Sequence, residues 1–218
     1  MTDARIDAVF FDVGETLISE GEIYGRWADW LGVPRHTFLA VLGAYISEGA
    51  SNMDVFEYFR PGFDLEKEES ARAEAGVPNG FGASDLYPDV RECLAGLRAQ
   101  GLFIGIAGNQ PVEAAEQLAA LDLDADAIGI SDVWGVAKPA QEFFERCAQL
   151  ADALPEHVLY VGDRPDNDVA PAAAFGMRTA FLRRGPWGHI WNDPDIQATF
   201  VLDDLASLPA LVAEFNSP

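Results

Sequence analysis

The sequence predicts an α/β fold, a parallel sheet covered by helices on both faces, with a small helical module inserted after the first strand. Three observations carry the prediction. After Pro88, short apolar runs alternate with helix-period segments, the pattern of parallel strands joined by right-handed helical crossovers. Near the N-terminus, Val9-Phe10-Phe11 is a continuous apolar run, as a strand buried on both faces requires. From about Ile18 to Ser84, by contrast, only helix-period segments occur. At 218 residues with 49% hydrophobic composition, the chain can bury one sizeable core with a smaller insert. The layout is a three-layer core of residues 1–17 and 85–218, with residues 18–84 as a helical insert.

Residues 6–12 give the first strand. The insert follows as helices over Glu22–Leu31, Arg35–Ile46, Met53–Phe59 and Leu65–Ala75, broken at Gly32-Val33-Pro34, Gly49–Asn52 and Pro61-Gly62. Its aromatics (Trp27, Trp30, Phe38, Tyr45, Phe56, Tyr58 and Phe59) read mostly as its own core. The core then resumes with a helix over Asp89–Gln100 and a strand over Leu102–Ala107. Next come a helix over Pro111–Leu121, a strand over Ala127–Ile130 and a helix over Pro139–Leu150. Val158–Val161 is a strand and Val169–Phe175 a helix. Strands over Arg178–Leu182 and Phe200–Leu202 and a helix over Leu205–Phe215 close the series. Arg183–Trp191 reads as a loop that contacts the insert or a second copy in a homodimer, and Trp134 as a residue at the site entrance.

Polar residues gather at the carboxyl ends of these strands, where open α/β sheets bind ligands. Asp12 follows the first strand, Gly108-Asn109 the second and Gly162-Asp163 the Val158–Val161 strand, while Lys138 precedes a helix. Singly, each has a plain structural reading. Asp12, Asn109 and Asp163 suit a cap or turn, and Lys138 suits a solvated surface. Their coincidence at one rim is what points to a site. Asp12, Asp163 and Asp168 together would repel strongly unless a cation joined them. A few oxygen ligands with room for water suit Mg²⁺ better than zinc or a full calcium cage, and the spacing does not match an EF-hand.

In order, Asp12-x-x-x-Thr16, Asn109 after a strand, Lys138-Pro139 and Gly162-Asp163-x-x-x-Asn167-Asp168 resemble the motifs of the haloacid dehalogenase-like hydrolase superfamily. The insert resembles the C1 helical cap of its subfamily I, and Leu86-Tyr87-Pro88-Asp89-Val90 resembles that branch's re-entry into the core. The resemblance implies a Rossmann-like core and a phosphatase in which Asp12 attacks phosphorus and forms an aspartyl-phosphate. It implies Mg²⁺ held by Asp12, Asp163 and the Gly14 carbonyl, with Asp168 nearby through water. It further implies that Lys138 stabilises Asp12 and the transferring group, that Thr16, Gly108 and Asn109 contact substrate, and that the substrate is a small phosphorylated metabolite.

Two departures stand out. Gly14 occupies the position where the family's phosphatases carry an acid/base Asp, a group worth ~10²–10⁴-fold in rate; adjacent Glu15 would need a different loop geometry to replace it. Gly108 stands where Ser or Thr is usual. These departures motivate an alternative, a binding protein that keeps the fold and metal site but turns over weakly. A 2-haloacid dehalogenase also lacks the acid, but needs no metal and lacks the Gly162-Asp163 motif. A phosphonate hydrolase would need a cap lysine; Lys67, in the charged run Glu66–Glu69, reads as solvated.

The net charge of −22 excludes a nucleic-acid surface, which needs a basic stripe. No apolar run is long enough for a membrane span. No dinucleotide or P-loop motif is present. The N-terminus lacks an export signal, and Cys93 and Cys147 have no metal spacing, so a reducing cytoplasm is expected.

Overall fold

A computed structural model describes residues 5–193 and 195–217. Residues 1–4, which bear most of the reading about an export signal, lie outside the described residues. Six parallel strands form one sheet in the order β3-β2-β1-β4-β5-β6: β1 (Ala8–Phe11), β2 (Phe103–Gly108), β3 (Ala127–Ile130), β4 (Val158–Gly162), β5 (Arg178–Leu182) and β6 (Phe200–Leu202). The α/β fold expected from the alternation of strands and helices is the fold observed.

β1 lies inside the sheet, and its four residues are fully buried. Their two-residue alternation divides the core. Val9 and Phe11 face one apolar cluster with Leu94 and Leu97 of α5 (Val90–Arg98) and Leu118 of α6 (Ala114–Ala120). Ala8 and Phe10 face a second cluster with Phe143, Phe144 and Cys147 of α8 (Gln141–Leu150) and Ala172 of α9 (Ala170–Phe175). A final helix, α11 (Leu208–Phe215), adds Leu208 and Val212 to the first cluster. The three-layer arrangement thus follows from continuous apolar strands between amphipathic helices.

Between β1 and β2 stand four helices, α1 (Gly21–Leu31), α2 (Arg35–Ser47), α3 (Asp54–Phe59) and α4 (Leu65–Glu74). Helix α1 ends at Gly32, whose φ of 72° forms a left-handed cap before Pro34. Asp64 caps α4 by accepting the Lys67 N–H. Trp27, Phe38 and Phe56 are buried in a cluster of their own, whereas Tyr58 is exposed.

Two short helices escape the sequence reading. Ser131–Trp134 forms a turn, α7, after β3, and Gly185–Ile190 forms α10 where a loop was expected. Two glycines and a proline in six residues argue against a helix locally, but Trp187 inserts into the α1–α3 cluster and fixes it. Trp191 follows and donates its indole N–H to Ile46 O at 2.9 Å. This segment therefore touches the helical insert. Trp134 is not at the entrance; it packs on Phe143, 5.2 Å between centroids. No helix among the described residues is long and apolar enough to cross a membrane.

Candidate active site

The carboxyl ends of β1, β2 and β4 meet at one rim. The Asp12 N–H donates to Val161 O at 2.9 Å, which continues the ladder by one residue and sets the side chain beside β4. Lys138 enters from the segment between α7 and α8. Its Nζ donates to Asp12 Oδ1 at 2.7 Å and to Asp168 Oδ1 at 2.6 Å. The Lys138 and Asp168 side chains are buried, whereas Asp12 keeps 11% of its side-chain surface open. That opening faces a cavity of about 290 Å³.

Backbone close to these side chains explains two glycines. A Cβ at Gly162 would lie 2.2 Å from Asp168 Oδ2, and one at Gly108 would lie 2.7 Å from Asp12 Oδ1. Any side chain at Gly108 therefore presses on Asp12 itself. Asp168 is held further by the Arg164 N–H, which donates to its Oδ2 at 3.0 Å.

One oxygen each from Asp12, Asp163 and Asp168 falls within 4.8 Å of the others. Asp163 is buried, and its Oδ2 has no hydrogen-bond partner among the described residues. An orphaned buried carboxylate oxygen is costly unless something positive meets it, so this oxygen-only donor set fits a hard divalent cation. Burial is the main force raising the Asp163 and Asp168 carboxyls above the usual range; neighbouring carboxylates add to it, and Lys138 opposes it at Asp168. At Lys138 burial disfavours the charge, but Asp12 and Asp168 outweigh it and hold the ammonium above its ordinary value.

The remaining expected residues divide. Asn109 lines the cavity, with its amide paired to the Lys138 backbone: Nδ2 donates to Lys138 O at 2.9 Å, and Oδ1 accepts Lys138 N–H at 2.7 Å. Gly14 lines it too. Thr16 and Gly108, expected to contact substrate, do not line it; Thr16 is fully buried and Gly108 lies behind Asp12. Glu15 is tied down, since Oε1 accepts the Glu20 N–H and Oε2 accepts the Tyr87 hydroxyl.

Four lining residues escaped the sequence reading as site residues: Glu20, Asn52, Gln110 and Trp187. Asn52 and Trp187 sit in segments with no motif. Glu20 had one signal, a glycine at position 14 that leaves space for a neighbour's side chain. Burial, then Glu15 and Asp12, pushes the Glu20 carboxyl up to about 8. Arg164, also in the lining, stacks near Trp187 and Trp191 and pairs with Asp166 at 2.8 Å.

Carboxylates and a buried lysine thus gather at the carboxyl rim of an open parallel sheet, beside a helical insert. Residues 6–176 match the haloacid dehalogenase-like hydrolase family, and the chain belongs to it. The glyceraldehyde 3-phosphate phosphatase of Pyrococcus furiosus is 28% identical, over 97% of this chain and 95% of its own length. The pyrophosphatase PpaX of Bacillus cereus strain B4264 is also 28% identical, over 97% and 99%. Among solved structures, the putative HAD-hydrolase YfnB of Bacillus subtilis, bound to magnesium, shares the fold with a TM-score of 0.71 at 19% identity, covering 95% of this chain and 99% of that one.

Proposed function

We propose that this enzyme is a Mg²⁺-dependent phosphomonoester hydrolase that works through an aspartyl-phosphate on Asp12. The observation that carries the reading is the buried Lys138 bridge between Asp12 and Asp168, beside the unpartnered Asp163 oxygen. The lysine holds one Asp12 oxygen at 2.7 Å and leaves the other free to attack. A neutralised aspartate with a fixed orientation is suited to in-line attack on phosphorus.

Asp12, Asp163 and the Gly14 carbonyl would hold Mg²⁺, with Asp168 through water, and the bound ion would supply charge neutralisation for the phosphoryl group. Lys138, 2.7 Å from Asp12, balances charge on the same group, and the Asn109 amide pairs with the Lys138 backbone and holds it beside the end of β2. In the second half-reaction water attacks the phosphorus of the aspartyl-phosphate, and the Asp12 carboxylate leaves. The residues at 18–84 serve as the cap over this centre, and residues 1–17 with 85–218 serve as the core.

The substrate class is small phosphorylated metabolites, in keeping with the names of the relatives and with the cavity volume. Two buried free thiols, Cys93 and Cys147, suit work in the cytoplasm. The dehalogenase alternative leaves Asp163 without a use. The experiment is phosphate release from an aryl phosphate with and without Mg²⁺, alongside Asp12→Asn. Mg²⁺-dependent release that vanishes in the variant is expected; release that survives the substitution removes Asp12 from its role.

A further inference from the structure

Ester cleavage needs a proton for the departing alkoxide, and aspartyl-phosphate hydrolysis needs an acceptor for the proton of water. The carboxylates around the cavity are already committed, with one exception. Asp12 is the nucleophile, Asp163 faces the cation site, Asp168 is paired with Lys138, and Glu15 is tied to Tyr87 and to the Glu20 backbone. The Glu20 carboxylate makes no hydrogen bond among the described residues and lines the cavity.

Its placement is specific. The chain after β1 folds back on itself through a bridge between Gly14 and Ile18, and the Glu20 N–H donates to Glu15 Oε1 at 2.8 Å. Glu20 thereby sits at the entry to α1 with its side chain over Gly14. A Cβ built on Gly14 would fall 2.6 Å from Glu20 Oε1 and 3.1 Å from its Cδ. The carboxylate thus occupies the space that a side chain at position 14 would use, two residues beyond Asp12.

The cavities agree. Beside the 290 Å³ cavity at Asp12 lies a larger one of about 460 Å³, walled by Ile23 and Trp27 on α1 and by Gln117 on α6. Gly14, Glu20 and Gln110 line both. A phosphate ester with its phosphoryl group at Asp12 and its organic part in the larger chamber passes its bridging oxygen through that junction. Of the three residues there, Glu20 alone has a side chain that exchanges protons.

We propose that Glu20 is the catalytic proton carrier of both half-reactions, a role that rests on the phosphatase reading above. In the first, the Asp12–phosphorus bond forms as the phosphorus–alkoxide bond breaks, and the alkoxide takes the Glu20 proton and leaves as an alcohol. In the second, water bonds to phosphorus, Asp12 is released, and the proton of water returns to Glu20. Inorganic phosphate departs, and the enzyme is restored.

The test compares the parent with Glu20→Gln, Glu20→Ala and the pair Gly14→Asp/Glu20→Ala, on 4-nitrophenyl phosphate and on an alkyl phosphate, with acid-quenched protein weighed for a bound phosphoryl group. The Glu20 side chain makes no hydrogen bond among the described residues, so Glu20→Gln and Glu20→Ala are expected to fold and to bind Mg²⁺ like the parent. Glu20→Gln is expected to lose about 10²–10⁴-fold on the alkyl ester. The loss on the nitrophenyl ester should be smaller, because that leaving group needs no proton, and phosphorylated Asp12 should accumulate. The paired variant should recover at least about tenfold over Glu20→Ala on the alkyl ester, since the new aspartate enters space that Glu20 vacates. A parent that becomes phosphorylated, together with a Glu20→Gln variant equal to it on both esters and no added phosphoenzyme, overturns the Glu20 role alone. A parent that never releases phosphate or becomes phosphorylated overturns the phosphatase reading and the Glu20 role together.

Discussion

Replacing Lys138 with methionine removes the ammonium that joins Asp12 and Asp168, at 2.7 and 2.6 Å, while keeping most of the apolar stem. Two carboxylates are then left facing each other in a buried setting. Breaking a buried pair in this way costs about 3–5 kcal/mol, chiefly because the orphaned charge stays desolvated. For a chain of this length each kcal/mol moves the melting temperature by about 2–4 °C, so a fall of about 6–20 °C is expected without divalent cation. Protonating the stranded carboxylates relieves the cost. Burial already raises the Asp168 carboxyl and Lys138 opposes that rise, so losing the lysine raises its folded-state pKa further above the unfolded value; the variant regains stability as pH falls through it, and the gap to the parent narrows with falling pH. Mg²⁺ at a hundred times its dissociation constant returns about 2.7 kcal/mol to any form that binds it only when folded. Adding Asp168→Asn to Lys138→Met should also recover part of the loss, because the two sites are in direct contact. Scanning calorimetry in chelator and then in Mg²⁺ reads all of these. A cation-free variant that melts within about 2 °C of the parent would refute the reasoning, since it would mean the lysine compensates no buried charge.

Gly108→Ala should lower turnover by about 10²-fold, because its Cβ would stand 2.7 Å from Asp12 Oδ1 and displace the nucleophile, and should weaken Mg²⁺ binding as well, since Asp12 is one of the proposed ligands; steady-state kinetics and calorimetric Mg²⁺ titration read the two effects. Trp187→Ala should cost about 3–5 kcal/mol in urea unfolding, as the side chain is buried in the cluster of the helical insert. Burial pushes the Cys93 and Cys147 thiols up to about 12, so neither should be alkylated by iodoacetamide at pH 8 until the protein is unfolded, as mass spectrometry of the treated protein would show.

The sheet was readable from the sequence because each strand buried on both faces must be apolar throughout. Val9–Phe11, Ile104–Ala107 and Val158–Val161 cannot be placed on a surface, and the polar residues that end them fall together once the strands are parallel. Asp12, Asn109, Lys138 and Asp163 were legible on that basis, and the structure brings them to one cavity. Helix α10 was not legible, because its two glycines and its proline are overruled by the burial of Trp187, a tertiary effect with no local trace. Thr16 illustrates the opposite limit. It sits inside a motif, but the turn after Asp12 directs it into the core, where it is fully buried. Glu20 depends on the same turn, in which Glu15 adopts a φ of 50° and its carboxylate reaches back to the Glu20 N–H. The glycine at position 14 signals open space, but residue spacing does not say that the carboxylate six positions further on fills it.

The most direct measurement is to quench the enzyme in acid during turnover of a phosphate ester with Mg²⁺ present, and to locate any bound phosphoryl group by peptide mass spectrometry. A phosphoryl group on Asp12, absent in Asp12→Asn and absent when Mg²⁺ is chelated, is the expected result. Turnover with Asp12 unmodified under every quench condition, or a phosphoryl group on another residue, would contradict the assignment of Asp12 as the nucleophile.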